Sequence, residues 1–84
     1  MKLFPFFDLI MTFSPILDGE KHTAYIEWNF SGERWFIRIV DGTGELILNA
    51  PVIESSRELP INILQGYFTT PMIFNSSTQA FEVG

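Results

Sequence analysis

The chain has 84 residues, no cysteine, and ten acidic against five basic side chains, for a formal net charge of −5 at pH 7. That size allows one domain at most, held without disulfides or thiolate metal sites. The basic residues Lys2, Lys21, Arg34, Arg38 and Arg57 are scattered, which leaves no positive stripe to displace counterions from nucleic acid or to settle on an anionic membrane.

Hydrophobic residues make up 46% of the chain and aromatics 15%. In so small a domain that means either a dense core or apolar surface kept for a partner. Residues 1–13 begin with a Lys and a run of apolar side chains. Pro5 and Asp8 interrupt the run and no small-residue cleavage site follows, so no secretory signal is expected. No stretch of about 18 apolar residues exists to span a bilayer as a helix. The absence of cysteine fits a reducing compartment. Gly and Pro punctuate the chain at short intervals and no segment keeps a 3.6-residue period, which is the rhythm of an all-β domain.

Residues 1–8 form an N-terminal segment with three Phe, at Phe4, Phe6 and Phe7, in which Pro5 should break any regular element. Two readings fit it: it closes one end of the domain's own core, or it is a docking arm that inserts into a partner. A first strand then runs to Asp18-Gly19, a pair suited to a type I′ hairpin because both central positions need positive φ. Closing the hairpin there pairs Leu17 with Glu20, Phe13 with Ala24, Met11 with Ile26 and Leu9 with Trp28 on an apolar face. Ser14 with Thr23 and Thr12 with Tyr25 fall on the other face. A one-residue slip would scramble that division. Pro15 has no N–H, so this strand should lie at a sheet edge, or Pro15 should point its missing donor outward.

Gly32-Glu33 reads as a type II′ turn with Gly at the first central position. It pairs Phe30 with Trp35, Trp28 with Ile37 and Ile26 with Ile39, and sets Glu27 across from Arg38. The result is a three-stranded meander with one continuous apolar side through Ala24, Ile26, Trp28 and Phe30. Asp41-Gly42-Thr43-Gly44 is a longer loop into a strand from Glu45 to Leu48. Asn49-Ala50-Pro51 should bend the chain before Val52 to Glu54 continues it, and Ser55 to Pro60 reads as loop. Pro60 is placed to open a short helical turn over residues 60–66, ended by Gly66. Tyr67 to Phe74 is β-rich but bent by Pro71, Asn75 to Thr78 is a turn, and Gln79 to Val83 is the last strand. The expected fold is a small antiparallel β-barrel or sandwich of about six strands, one domain over residues 1–84.

Little in the chain suggests catalysis. His22 is the only histidine, with no nucleophile signature nearby, and reads as a surface or interface residue. Asp41, Thr43 and Glu45 have the spacing of calcium ligands, but the twelfth position of such a loop is Val52 where a bidentate Glu is needed. Gly42-Thr43-Gly44 lacks the Lys-Ser/Thr ending and the helix of a phosphate-binding loop. Glu27 already has Arg38, so no carboxylate dyad stands out. The chain therefore reads as a non-enzyme with no metal, cofactor or small-molecule substrate. Trp28, Trp35 and Phe30 read as core. A second reading, a free-standing OB-like or carbohydrate-binding module, would have Trp, Asn and Glu stacking and bonding a sugar.

The order of motifs resembles the baseplate-plug family of tailed phages. Leu17-Asp18-Gly19 stands where that family has a Leu-Asp-Gly turn. Tyr25-Ile26-Glu27-Trp28-Asn29 stands at its Tyr–Trp–Asn strand, followed by Gly32 and by Trp35-Phe36-Ile37. Asp41-Gly42-Thr43-Gly44, Leu46-Ile47, Ile61-Asn62-Ile63-Leu64 and Pro71 to Phe74 follow in the family's order. The match runs from about Phe13 to Val83, and residues 1–8 fall outside it. The resemblance implies a virion protein, assembled in the host cytoplasm: a plug-like structural subunit in the central hub, between tail tube and spike. It further implies protein partners (hub, tube, tape-measure or spike proteins) and multiple copies. The candidate docking residues are Phe4, Phe6, Phe7, Tyr67, Phe68 and Met72, because large apolar side chains carry most interface energy.

Overall fold

The computed structural model describes residues 2–56 and 58–84. Met1 and Arg57, which fall in the expected N-terminal segment and the expected loop over residues 55–60, lie outside them. Among the described residues the strands are β1 (Lys2–Pro5), β2 (Met11–Phe13), β3 (Ile16–Leu17), β4 (Glu20–Lys21), β5 (Thr23–Asn29), β6 (Arg34–Val40), β7 (Leu46–Pro51), β8 (Glu54–Ser55), β9 (Met72–Asn75) and β10 (Ala80–Val83), with no helix. They form two four-stranded sheets, β1-β10-β9-β8 and β2-β5-β6-β7, and the two-stranded ribbon β3-β4.

The first hairpin forms in the register that its hydrophobic pattern dictates. Asp18 and Gly19 both hold positive φ, 52° and 81°, as a type I′ turn demands. Leu17 pairs with Glu20, Phe13 with Ala24, Thr12 with Tyr25 and Met11 with Ile26. The ladder loosens at Pro15, whose carbonyl accepts the His22 N–H at 3.0 Å. In keeping with Pro15, β2 lies at a sheet edge. The expected Leu9–Trp28 pair does not form. Asp8 takes φ 56°, which turns the chain, so β2 begins only at Met11 and Leu9 is exposed.

The second hairpin keeps the expected faces but not the expected register. Trp28 pairs with Trp35, Ile26 with Ile37 and Ala24 with Ile39. Phe30 to Glu33 form a four-residue loop. Glu33, rather than Gly32, supplies the positive φ, at 51°, and Asn29 Oδ1 accepts the Gly32 N–H at 2.8 Å. The shift is two residues, so each side chain stays on its intended side. Glu27 now faces Phe36 and Arg38 faces Tyr25, yet Arg38 Nε still reaches diagonally to Glu27 Oε1 at 3.1 Å.

The second half departs further. The chain runs straight through Asn49-Ala50-Pro51 as part of β7, and the break falls at Val52-Ile53. β8 then pairs in parallel with β9, Glu54 against Phe74 and Ser55 against Asn75. The helical turn expected over 60–66 is replaced by a non-helical turn held by Asn62. Its Oδ1 accepts the Leu64 N–H at 3.0 Å and the Met72 N–H at 2.9 Å. Asn is a poor helix-interior residue because its side chain competes for backbone bonds in this way. Ser55 is buried, its Oγ accepting the Ile61 N–H at 2.8 Å. The last two elements match expectation: a turn after Asn75, then β10 against β9.

The two four-stranded sheets pack through Met72, Phe74, Phe81 and Val83 on one side and Ala24, Ile26, Ile37, Ile39 and Leu48 on the other, joined by Phe6, Leu17 and Leu64. Each fully buried side chain of this size contributes about 1.5–3 kcal/mol. Edge strands β1 and β2 meet through rings rather than a backbone ladder, with Phe4 stacked on Phe13 at 4.6 Å. The architecture is therefore sandwich-like and not a closed barrel.

Candidate docking surface

Residues 2–5 are a strand, not an irregular arm. β1 pairs antiparallel with β10, from Lys2 opposite Val83 to Pro5 opposite Ala80. Pro5 is tolerated because β1 is an edge strand. Alternation then separates the three Phe. Phe6 is buried, meeting Trp35, Phe74 and Phe81 edge-on with ring centroids at 5.1, 5.5 and 5.9 Å. Phe4 is half-buried against Phe13. Phe7 is 66% exposed. Of the two readings of this segment, closure of the core holds for Phe6 and in part for Phe4, and Phe7 is the one ring of the three that stands in solvent.

Met72 is fully buried between the sheets. Like Phe6, it offers no surface for docking, because it opens β9 on the inward-facing side of the strand alternation. Tyr67 is exposed, and Phe68 is half-buried, edge-on to His22 at 5.0 Å. His22 is buried within the chain, so of the surface and interface positions expected of it the surface one does not hold. Its Nδ1 donates to the Glu20 carbonyl at 2.9 Å, which satisfies the ring where it enters the interior.

Tyr67 and Phe68 are positioned by an unusual tie. Asp18, at the tip of the first hairpin, accepts hydrogen bonds from the backbone N–H and the hydroxyl of both Thr69 and Thr70, and its own N–H donates to Thr70 Oγ1 at 2.9 Å. The Thr69 hydroxyl and then the Thr70 N–H hold the Asp18 carboxyl down at about 2. A depression of about 310 Å³ lies beside this tie, lined by Asp18, Gly66, Tyr67, Phe68 and Thr69. Asp41 plays a local version of the same part, accepting from Thr43 and Glu45 within its own loop. The Thr43 hydroxyl, then the Glu45 N–H, lowers its carboxyl.

Other apolar surface emerges that the sequence pattern did not mark. Leu9 and Ile10 follow Phe7 on the exposed link between β1 and β2. At the β5–β6 hairpin an aromatic ladder climbs from core to solvent. Buried Phe6 touches Trp35, Trp35 touches Trp28 edge-on at 5.3 Å, and Trp28 meets Phe30 at 6.5 Å. Trp28 is 36% exposed and Phe30 85% exposed, so the meander's core face ends at Ile26. Phe30 leaves it because the four-residue loop takes it out of β5. A single turn-geometry error at Glu33 accounts for its misplacement.

The solvent side of β5-β6-β7 carries a second depression, of about 280 Å³, lined by Glu27, Trp28, Asn29, Phe36 and Asn49. An apolar groove of about 320 Å³ runs by β1, lined by Lys2, Phe4, Ser14, Ile16, Val83 and Gly84. Among the described residues no group of three or more His, Cys, Asp or Glu is placed to share a metal ion. No family model, curated protein or solved structure matches the chain.

Proposed function

We propose that the chain is a structural subunit of a tailed-phage baseplate, a plug-like domain in the central hub between tail tube and spike that acts through protein–protein contacts. The observation that carries this reading is how the motif residues of the resemblance are used. Asp18 ties one hairpin to residues 69–70, Asn29 closes the β5–β6 loop, Asp41 closes the β6–β7 loop and Asn62 holds the turn before β9. Such residues set a scaffold's shape. What remains for partners is large, exposed and apolar: Phe7, Tyr67 and Phe30. Aromatics of this kind anchor interfaces at about 2 kcal/mol or more each when centrally buried.

Copies in the virion would meet the hub, the tube and the tape-measure or spike proteins, and several weak contacts made together would give a closure that opens as a unit. The test is to label the protein with a small epitope in the phage that encodes it and image purified tails by immunogold microscopy. Label at the tip of the tail is expected. Particles lacking the protein, or label along the tube or on the head, would overturn the proposal.

A further inference from the structure

The outward face of β5-β6-β7 is unlike the rest of the surface. Cross-strand pairing sets Glu27 beside Phe36 and Phe36 beside Pro51, with Arg38 beside Asn49 one row along. Alternation sends Trp35 and Ile37 inward and Phe36 outward, so an aromatic ring stands in the middle of a hydrogen-bonding surface. The polar groups around it are only partly used. Glu27 Oε1 takes Arg38 Nε at 3.1 Å, and the Arg38 guanidinium lies 4.2 Å over the Tyr25 ring. Asn29 spends its Oδ1 on the Gly32 N–H at 2.8 Å, which leaves its side-chain NH2 as the group it can still offer. Among the described residues neither Glu27 Oε2 nor the Asn49 side chain has a protein hydrogen-bond partner. The Glu27–Arg38 pair cancels its own charge, so the depression is polar without being ionic.

That set of groups matches a sugar. A pyranose ring presents an apolar C–H face to an aromatic ring and, at its rim, adjacent hydroxyls that both donate and accept. An amide answers such a pair of hydroxyls with one donor and one acceptor, and a carboxylate oxygen accepts. Anionic ligands are disfavoured by the chain's net charge of −5. The 280 Å³ depression admits one such ring. We propose that this face binds a neutral sugar, one ring seated on Phe36 and hydrogen-bonded by Glu27, Asn29 and Asn49. The site does not depend on the baseplate reading and would serve a tail protein or a free-standing module alike.

The experiment is an NMR titration of the whole chain, ¹⁵N-labelled, with maltotetraose, cellotetraose and chitotetraose in turn, and with tetragalacturonate as the anionic comparator. Saturable shifts are expected with at least one neutral sugar below about 10 mM, centred on Glu27, Phe36 and Asn49, and weaker binding of the anion. Asn49→Ala, an exposed change, should weaken that binding about tenfold with an unchanged thermal melt; Phe36→Leu should abolish it. The site is overturned if no neutral tetrasaccharide gives a saturable shift. It is equally overturned by shifts centred on Phe7 or Tyr67, or by wild-type binding in Asn49→Ala. None of these outcomes bears on immunogold labelling of tails, so the two proposals fail separately.

Discussion

Glu33 holds φ at 51°, where a Cβ crowds the following carbonyl at a cost of about 1–2 kcal/mol. Its neighbour Gly32 holds no such angle, and a Cβ built there would meet nothing closer than 3.5 Å. The glycine therefore sits one residue before the position that would use it. Glu33→Gly should raise stability by up to about 1 kcal/mol, the relief of strain being partly offset by unfolded-state entropy, while Gly32→Ala should stay within about 0.5 kcal/mol of wild type. Urea unfolding of both variants distinguishes this from the type II′ turn that the sequence suggests, for which Gly32→Ala would be the damaging change. The aromatic ladder makes a parallel point. Trp28→Ala gives up an edge-to-face ring pair and part of a half-open site, about 1–2 kcal/mol. Ile37→Ala empties a fully buried position and should cost about 2–5 kcal/mol. Equal melts for Ile37→Ala and wild type, or a larger loss for Trp28→Ala, would refute this placement of the core.

At the scale of elements, Asp18 decides how the β3-β4 hairpin sits on the rest of the molecule, and this has a pH signature. Its folded value of about 2 lies below the ordinary 3.8, so the tie contributes fully above about 3.8 and is lost as the pH falls toward 2. Asp41 acts in the same direction. Melting temperature should drop over that acid window, and Asp18→Asn should lower it near neutral pH while flattening the drop. A wild-type acid limb in Asp18→Asn would show that the tie carries no weight in solution. The Asp18-Gly19 turn, the first hairpin's register, and the final turn and strand were legible beforehand, since turn chemistry and hydrophobic alternation speak clearly there. So was the edge position of Pro15, and Pro5 and Pro51 follow the same rule on edge strands β1 and β7. What was not legible has physical reasons. A two-residue register shift leaves the face pattern unchanged, so alternation cannot detect it. A two-residue parallel strand such as β8 has no period to read. Pro60 and Gly66 bracket a helix as well as they bracket a turn, and only the reach of Asn62 to Met72 across ten positions decides between them. Of the candidate docking residues, Phe6 and Met72 were misjudged because burial depends on what each packs against elsewhere in the chain: β10 pairs with the strand leading to Phe6, and the facing sheet covers Met72.

The whole molecule has a Cα radius of gyration of 12.0 Å, what a compact chain of this length should have, about 12 Å. The core residues and the exposed aromatics are different side chains, so partner binding and folding should be separable by mutation, and the N-terminal segment supplies the sharpest case. Phe6 and Phe7 are adjacent and identical in chemistry, but one lies inside the aromatic core and the other stands in solvent. Phe6→Ser should remove about 3–5 kcal/mol, enough to unfold a domain of this size at moderate temperature. Phe7→Ser together with Tyr67→Ser should leave the thermal melt within a few degrees of wild type, because neither ring is buried; under the baseplate proposal it should also lower incorporation into tail particles severalfold, since a lost central anchor weakens an interface by about 2 kcal/mol or more. The comparison needs only purified particles probed for the epitope beside melts of the free protein. If the Phe7/Tyr67 variant enters particles as wild type does, the exposed aromatics are not the docking surface. If Phe6→Ser melts as wild type does, the core is wrongly drawn at β1, and with it the reason for expecting any difference between two neighbouring phenylalanines.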